Sequence, residues 1–118
     1  MAFLTDGQCD FVAMYALLFW QEVERFRESF PTMQNSDKVL TMTAVLSKYV
    51  TNSRASELIP GMTDYCDEIK SIDIRTKVKF PWALRLVQRL SLDYLQAKWR
   101  SFIKVRININ FFLQVVSV

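Results

Sequence analysis

The sequence has no histidine, and it has only two glycines, three prolines and two cysteines among its 118 residues. Without histidine, imidazole metal ligation and histidine-based catalysis are excluded. Gly7 and Gly61 stand alone, so no glycine-rich loop for nucleotide phosphates is present. Cys9 and Cys66 are far apart and show no pairing signature, which is typical of buried thiols in a reducing compartment. We therefore expect no metal and no cofactor.

Long hydrophobic runs are also missing. No window reaches the roughly 18 apolar residues that a membrane span requires. The first four residues carry no basic side chain and are followed by Asp6 and Asp10, so a secretory signal is not expected. Together with the cysteine usage, this predicts a cytoplasmic protein without a membrane span.

Charges of both signs are interleaved along the chain, with 15 basic and 12 acidic residues and a formal net charge of +3. Nucleic-acid binding favours a clustered basic face, so we expect no nucleic-acid partner. Basic residues do predominate in the last third of the chain. This pattern favours a solvated helix face, and the alternative is a surface that binds an anionic partner. The basic residues are Arg85, Arg89, Lys98, Arg100, Lys104 and Arg106.

The composition, 51% hydrophobic and 14% aromatic, allows a single domain spanning residues 1–118 with a packed core. The most informative segment is residues 17–26, because its apolar residues belong to a series that recurs at steps of four and three. That spacing places them on one face of a helix, and a strand would alternate every second residue. The series is Val12, Ala16, Phe19, Val23, Phe26 and Phe30. The sequence predicts an all-α helical bundle with its central helix over residues 10–29, ending before Pro31.

Further helices are predicted along the chain. A second helix, capped by Asn35 or Ser36, runs to about residue 50 with Val39, Met42, Leu46 and Tyr49 on one face. A short helix near residues 54–58 is followed by another through Ile69, capped by Thr63 or Asp64. Residues 71–79 are predicted as a loop.

The last long helix is predicted over residues 81–104, with Pro81 in its first turn. Its apolar face comprises Ala83, Val87, Leu90, Tyr94 and Ala97, extended by Trp99, Phe102 and Ile103.

Residues 105–118 form an atypical apolar tail. Ile107, Ile109 and Phe111 alternate with asparagines, as in a strand. No partner strand is predicted, so we expect this segment to form packed irregular or helical structure. The alternative is an unpacked end that is prone to aggregation.

Candidate acid–base carboxylates occur on the first helix at Glu22, Glu24 and Glu28. None of them lies on the apolar face, so we expect solvated charges in local pairs with Arg25 and Arg27. The sequence therefore does not predict an enzyme.

Three segments, spanning about residues 11–103, resemble the regulator of G-protein signalling (RGS) homology domain. Residues 18–26 are similar to the helix of this family in which a Phe-Trp pair is followed by a turn that is acidic and ends on an aromatic residue. Residues 39–59 are similar to the next helix with the short segment after it. Residues 80–102, which open on a phenylalanine and close on the Lys98-Trp99 pair, are similar to a late helix of the family.

This resemblance implies an all-helical bundle that binds the switch regions of a GTP-bound Gα subunit and stabilises the transition state of hydrolysis. Members of the family contribute little chemistry of their own. They hold the partner's switches in the reactive arrangement, so the chain would be at most a GTPase-activating regulator.

The polar residues with which the family contacts Gα are mostly replaced here. The family's Glu-Asn pair becomes Tyr15 and Ala16, and its loop asparagine becomes Ile59, which cannot form the hydrogen bond of an amide. The late Asp-x-x-x-Arg element falls on Tyr94 and Lys98, where lysine lacks the planar fork of arginine. The equivalent positions are Tyr15, Ala16, Ile59, Tyr94, Lys98 and, after a one-residue shift, Asp93. Each lost hydrogen bond costs about 1–3 kcal/mol, so the resemblance implies weak or no acceleration of GTP hydrolysis.

The resemblance is also incomplete at both ends. Only about ten residues precede the first helix, and the tail does not resemble the closing helices of the family. We expect an atypical, truncated member whose exposed apolar flank favours self-association or docking.

The alternative is a generic helical scaffold or oligomerisation module, unrelated to G proteins, that docks through the apolar tail or the basic late helix. A further alternative is an enzyme that acts on a small molecule, but it requires a polar pocket that the sequence does not indicate. The last three residues, Val116-Ser117-Val118, resemble a weak ligand for a PDZ domain.

Overall fold

The computed structural model describes the backbone of residues 11–106 and the side-chain environments of residues 11–100. This part of the chain contains five α-helices and no strand, which confirms the predicted all-α bundle. The helices are α1 (Phe11–Ser29), α2 (Asn35–Val45), α3 (Ser53–Leu58), α4 (Met62–Lys70) and α5 (Trp82–Arg106). Among the described residues, none of these helices is both long and apolar enough to cross a membrane.

The two long helices, α1 and α5, pack side by side and run antiparallel. Ala16 shares a small apolar cluster with Leu95. Trp20, one turn later on α1, accepts a hydrogen bond from Gln88, which lies earlier on α5. The predicted face of α1 is confirmed from Ala16 onward, because Ala16, Phe19, Val23, Phe26 and Phe30 are buried, whereas Val12 at its start is only half-buried.

Three phenylalanine rings hold the end of α1 against the start of α5. Phe80 lies edge-to-face with Phe26, with 5.2 Å between ring centres, and with Phe30 at 5.5 Å. Phe26 and Phe30 contact each other in the same geometry at 5.9 Å. Such pairs add about 0.5–1.5 kcal/mol each to the burial of the rings.

The second predicted helix consists of α2 and a π-helical turn over Leu46–Val50. In this turn, the Thr51 N–H donates a hydrogen bond to the Leu46 carbonyl at 2.8 Å. Met42, Val45 and Tyr49 are buried, whereas Val39 is exposed. The prediction of Val39 as a core residue is wrong because the buried face of α2 is centred between Met42 and Val45, which leaves position 39 at its edge.

The predicted caps of α2 and α4 are also wrong. Asn35 is the first residue of α2, and Gln34 precedes it without a side-chain hydrogen bond to the helix. The residue before α4 is Gly61, with φ 78° and ψ −5°. It is the third residue of a type II turn, in which the Met62 N–H donates to the Ile59 carbonyl at 3.0 Å. Because this turn leads directly into α4, no side-chain cap is used there. Helix α3, by contrast, has a side-chain N-cap. Asn52 Oδ1 accepts hydrogen bonds from the Arg54 and Ala55 N–H groups at 3.1 and 3.2 Å.

The connector between α4 and α5 is irregular, as predicted, apart from a 3-10 turn over Ile74–Thr76. Pro81 lies immediately before α5, and its carbonyl accepts from the Arg85 N–H at 3.3 Å. Helix α5 extends through Arg106, and the rest of the predicted tail, residues 107–118, lies outside the described residues.

The predicted face of α5 is correct in part. Ala83, Val87 and Trp99 are buried, but Ala97 is exposed. The prediction fails at Ala97 because the row that faces the bundle also contains two polar residues, which a search for apolar periodicity passes over. This row is Leu84, Gln88, Ser91, Leu95 and Trp99.

Candidate partner-binding end of the bundle

Two of the six family-equivalent positions are fully inside the bundle. Ala16 is buried in the small cluster between α1 and α5, and Ile59 is buried in the main core at the first position of the turn between α3 and α4. Their side chains therefore contribute to packing and present no surface to a partner.

The other four positions are at least partly accessible. Tyr15 is half-buried and packs against the main core, and Tyr94 is half-buried against the cluster that contains Ala16. Lys98 Nζ lies 5.7 Å from the centre of the Tyr94 ring, a cation–π distance. Asp93 is exposed, and its carboxylate lies 3.7 Å from Nε of Arg89, one turn earlier.

The structure brings together the elements that carry these positions. The first half of α1 packs against the second half of α5 through Ala16, Leu95 and Tyr94. The start of α3 is held to the start of α1, because the Arg54 guanidinium lies 4.8 Å from the centre of the Phe11 ring. Segments more than forty residues apart in the sequence thus meet at one end of the bundle.

Sequence reasoning missed a polar network between α1 and α5. Gln88, only 1% exposed, donates to Glu24 Oε2 at 2.9 Å and to the Trp20 carbonyl at 3.2 Å. Arg85 Nη1 donates to Gln88 Oε1 at 2.8 Å and lies 3.8 Å from Glu24 Oε2. Arg27 donates to Glu24 Oε1 through Nε at 2.9 Å and also through Nη2. The sequence signal for this network is the glutamine in a helical row that is mostly apolar.

The predicted pairing of Glu24 with Arg27 is confirmed, but its predicted solvation is wrong, because α5 leaves the Glu24 side chain only 16% exposed. The hydrogen bonds from Arg27 hold the pKa of Glu24 below its ordinary value; burial opposes this and the Gln88 amide adds to it. Glu24 is therefore an ionised acceptor, which is unsuited to act as a general acid near neutral pH.

A second polar contact joins α1 to the π-helical turn. Glu22 accepts from the Tyr49 hydroxyl at 2.6 Å and from Lys48 Nζ at 2.9 Å, so the prediction that its partners are local is wrong. Burial raises the pKa of Glu22, but the hydrogen bonds from Tyr49 and Lys48 outweigh it, and the pKa lies below its ordinary value. Burial, and then the bond to Glu22, raise the pKa of Tyr49, which keeps the phenol protonated.

The chemistry of these groups is structural. Both carboxylates have hydrogen-bond donors that keep them ionised, and each joins two elements of the bundle. Within the described residues, no group of three acidic or cysteine side chains is placed to hold a metal ion. Comparison of the chain with protein families, with curated proteins and with solved structures finds no match.

Proposed function

We propose that this chain is an RGS-like protein-interaction module that binds a Gα subunit with weak or no acceleration of GTP hydrolysis. One observation carries the proposal: α1 packs against α5 around Tyr94 and is held to the start of α3, and these three helices, with the turn that follows α3, carry all six family-equivalent positions. A partner that contacts several separated segments requires such a convergence. The free thiol of Cys66 suits the reducing cytoplasm, in which this activity belongs.

The residues at this end are the reason that we expect weak acceleration. Stabilising the transition state requires polar groups that hold the partner's switch residues in their reactive positions. Ala16 and Ile59 are apolar and buried, so they can supply no such group. The charged side chains that stay accessible among these positions are Asp93, beside Arg89, and Lys98, beside Tyr94. Binding energy at this surface is thus not directed at the reacting phosphate.

The test is a pair of measurements with purified Gα. In a pull-down, we expect the chain to bind Gα loaded with a transition-state or GTP analogue and to bind the GDP form less well. In single-turnover GTPase assays, we expect less than about tenfold acceleration, compared with the roughly 10³–10⁵ of a regulator that inserts an arginine into the active site. Lys98→Glu should weaken the binding, whereas Lys70→Glu, on α4, serves as the matched control. An acceleration of about a hundredfold would refute the loss of activity, and binding that ignores the nucleotide would refute the Gα proposal.

A second candidate function, self-association as a helical scaffold, is favoured by exposed apolar residues on α1. Phe11 and Leu18 are 43% and 44% exposed and lie two turns apart on the same face of the helix. Such a partly exposed apolar strip suits a second copy of the chain. Light scattering after size-exclusion chromatography should then report a dimer that Leu18→Glu converts to a monomer. Leu40→Glu, at an exposed apolar position of α2, should leave the dimer intact. A monomer at all concentrations would exclude this function.

A further inference from the structure

The start of α5 presents a tryptophan between two clefts. Trp82 is the first residue of α5 and is 61% exposed. On one side lies a cleft of about 750 Å³ between α1 and α5, and on the other a cleft of about 440 Å³ between the end of α4 and the connector. Phe80 and Trp82 line both clefts. We call this continuous region the Trp82 surface.

The exposed tryptophan is held in position by a neighbouring aromatic ring. Tyr65 of α4 lies edge-to-face with Trp82, with ring centres 6.3 Å apart and an interplanar angle of 84°. A large aromatic side chain that is already ordered loses little conformational entropy when a partner covers it. Tryptophan and arginine are also the residues most enriched at positions that dominate binding energy.

The charge of the Trp82 surface is strongly one-sided. Five basic residues line the two clefts, compared with two acidic residues, so the surface carries a net charge of +3, equal to that of the whole chain. The basic residues are Arg27, Lys77, Lys79, Arg85 and Arg89. The acidic residues are Glu24 and Glu68, and Glu24 is already engaged by Arg27 and Gln88. Asp93, beside the clefts, offsets part of the charge of Arg89.

We propose that the Trp82 surface binds an acidic segment of a partner protein that carries an apolar side chain. The apolar group packs against Trp82 and Phe80, while the carboxylates pair with Arg89 and Lys79 at the rim. Charge complementarity of this kind selects the partner and accelerates encounter, and desolvation of the tryptophan supplies affinity. The clefts on both sides of Trp82 favour a peptide chain, which can fill them, over a membrane surface, which cannot.

Trp82 lies away from the proposed Gα contact, and the two surfaces adjoin where Arg89 approaches Asp93. Trp82 precedes Tyr94 by twelve residues on the same helix, a rise of about 18 Å. The failure of this proposal and the failure of the Gα proposal are therefore distinguishable, because Lys98→Glu should not affect the Trp82 surface.

The experiment uses a fluorescein-labelled peptide of repeated Glu-Glu-Leu-Leu as the probe, and fluorescence polarisation measures its binding. Trp82→Ala and Arg89→Glu should each weaken binding about tenfold or more, in the range of a side chain that dominates an interface. Leu40→Ala and Arg25→Glu remove the same kinds of group from other exposed surfaces and should leave binding unchanged. Circular dichroism of every variant checks that the helices remain.

Nuclear magnetic resonance locates the contact. The chain has three tryptophans, and the peptide should shift the indole N–H signal of exposed Trp82 while leaving that of buried Trp99 in place. Equal affinity for a Gln-Gln-Leu-Leu peptide would overturn the acidic partner. An unshifted Trp82 signal, no binding, or binding only to anionic vesicles or to a single-stranded oligonucleotide would overturn the proposal.

Discussion

Single residues of α5 show how burial acts on polar groups with and without partners. The Gln88 amide is buried and makes hydrogen bonds to the carboxylate of Glu24 and the carbonyl of Trp20. Ser91, one turn later, is also buried, but its hydroxyl has no hydrogen-bond partner within the described part of the chain. A satisfied buried group stabilises the fold slightly, and an unsatisfied one costs the free energy of leaving water.

Replacing these two residues should therefore have opposite effects on stability. Gln88→Leu keeps most of the volume but removes the two hydrogen bonds that the amide donates and the one that it accepts from Arg85, so the free energy of unfolding should fall by about 1–3 kcal/mol. Ser91→Ala removes an unsatisfied hydroxyl, so stability should be unchanged or rise by up to about 1 kcal/mol. Urea denaturation followed by circular dichroism measures both, with half-exposed Gln96→Leu as the control on the same helix. A loss of stability in Ser91→Ala would mean that the hydroxyl has a partner.

Stability should depend on acidic pH through Glu24. Because its pKa in the folded chain is lower than in the unfolded chain, its contribution is fully present above the unfolded value, near 4.5, and is lost as the pH falls through the folded value. The free energy of unfolding, measured in urea, should decrease between neutral pH and pH 3.

Glu24→Gln should flatten this decrease, and Glu22→Gln should do so as well, because the pKa of Glu22 is shifted in the same direction. Glu57→Gln, at an exposed position of α3, should preserve the full pH dependence. If Glu24→Gln left the profile unaltered, the hydrogen bonds of Glu24 would not contribute to folding.

At the level of the elements, helix positions follow from the sequence, but helix starts do not. The three-and-four spacing of apolar residues predicts α1 to within a residue of its observed ends. For α2 and α4, the polar residues nearest the predicted starts, Asn35 and Asp64, lie inside the helices. Which polar residue becomes the cap depends on the direction from which the chain enters the helix, and tertiary contacts fix that direction.

The two asparagines at helix starts provide a matched test of this correction. Asn52→Ala removes the side-chain oxygen that accepts from the first turn of α3 and should lower stability by about 1 kcal/mol. Asn35→Ala, in the first turn of α2, should change it by less than about 0.5 kcal/mol. Thermal and urea denaturation compare the two variants directly. Equal losses would indicate that Asn35 caps α2 in solution.

At the scale of the whole molecule, one aromatic core connects α1 to every other helix. Phe19 is fully buried at the centre of α1 and lies edge-to-face with Tyr49, with 5.5 Å between ring centres. The same core contains Phe30, Ile69 and Val87 from other parts of the chain. Removing its central ring should therefore affect the stability of the whole bundle.

Phe19→Ala should lower the free energy of unfolding by about 3–5 kcal/mol, a large share of the 5–15 kcal/mol that stabilises a typical domain. If this variant does not fold, Phe19→Leu provides a smaller, measurable loss. Leu40→Ala, at a side chain that is 69% exposed, should change stability by less than about 0.5 kcal/mol. Comparable effects of Phe19→Ala and Leu40→Ala would contradict the position of the core.

The sequence by itself determined the helical class, the positions of the helices and the buried face of α1, because these depend on local periodicity and on proline and glycine. Only the tertiary structure decided that Glu24 meets Gln88, that Glu22 meets Tyr49, and that Trp82 remains at the surface between two clefts. The physical reason is that a polar residue beside an apolar face is solvated on an isolated helix and buried against a neighbour. Periodicity defines the face, whereas the helix that packs on it determines which residues at its edge lose contact with water.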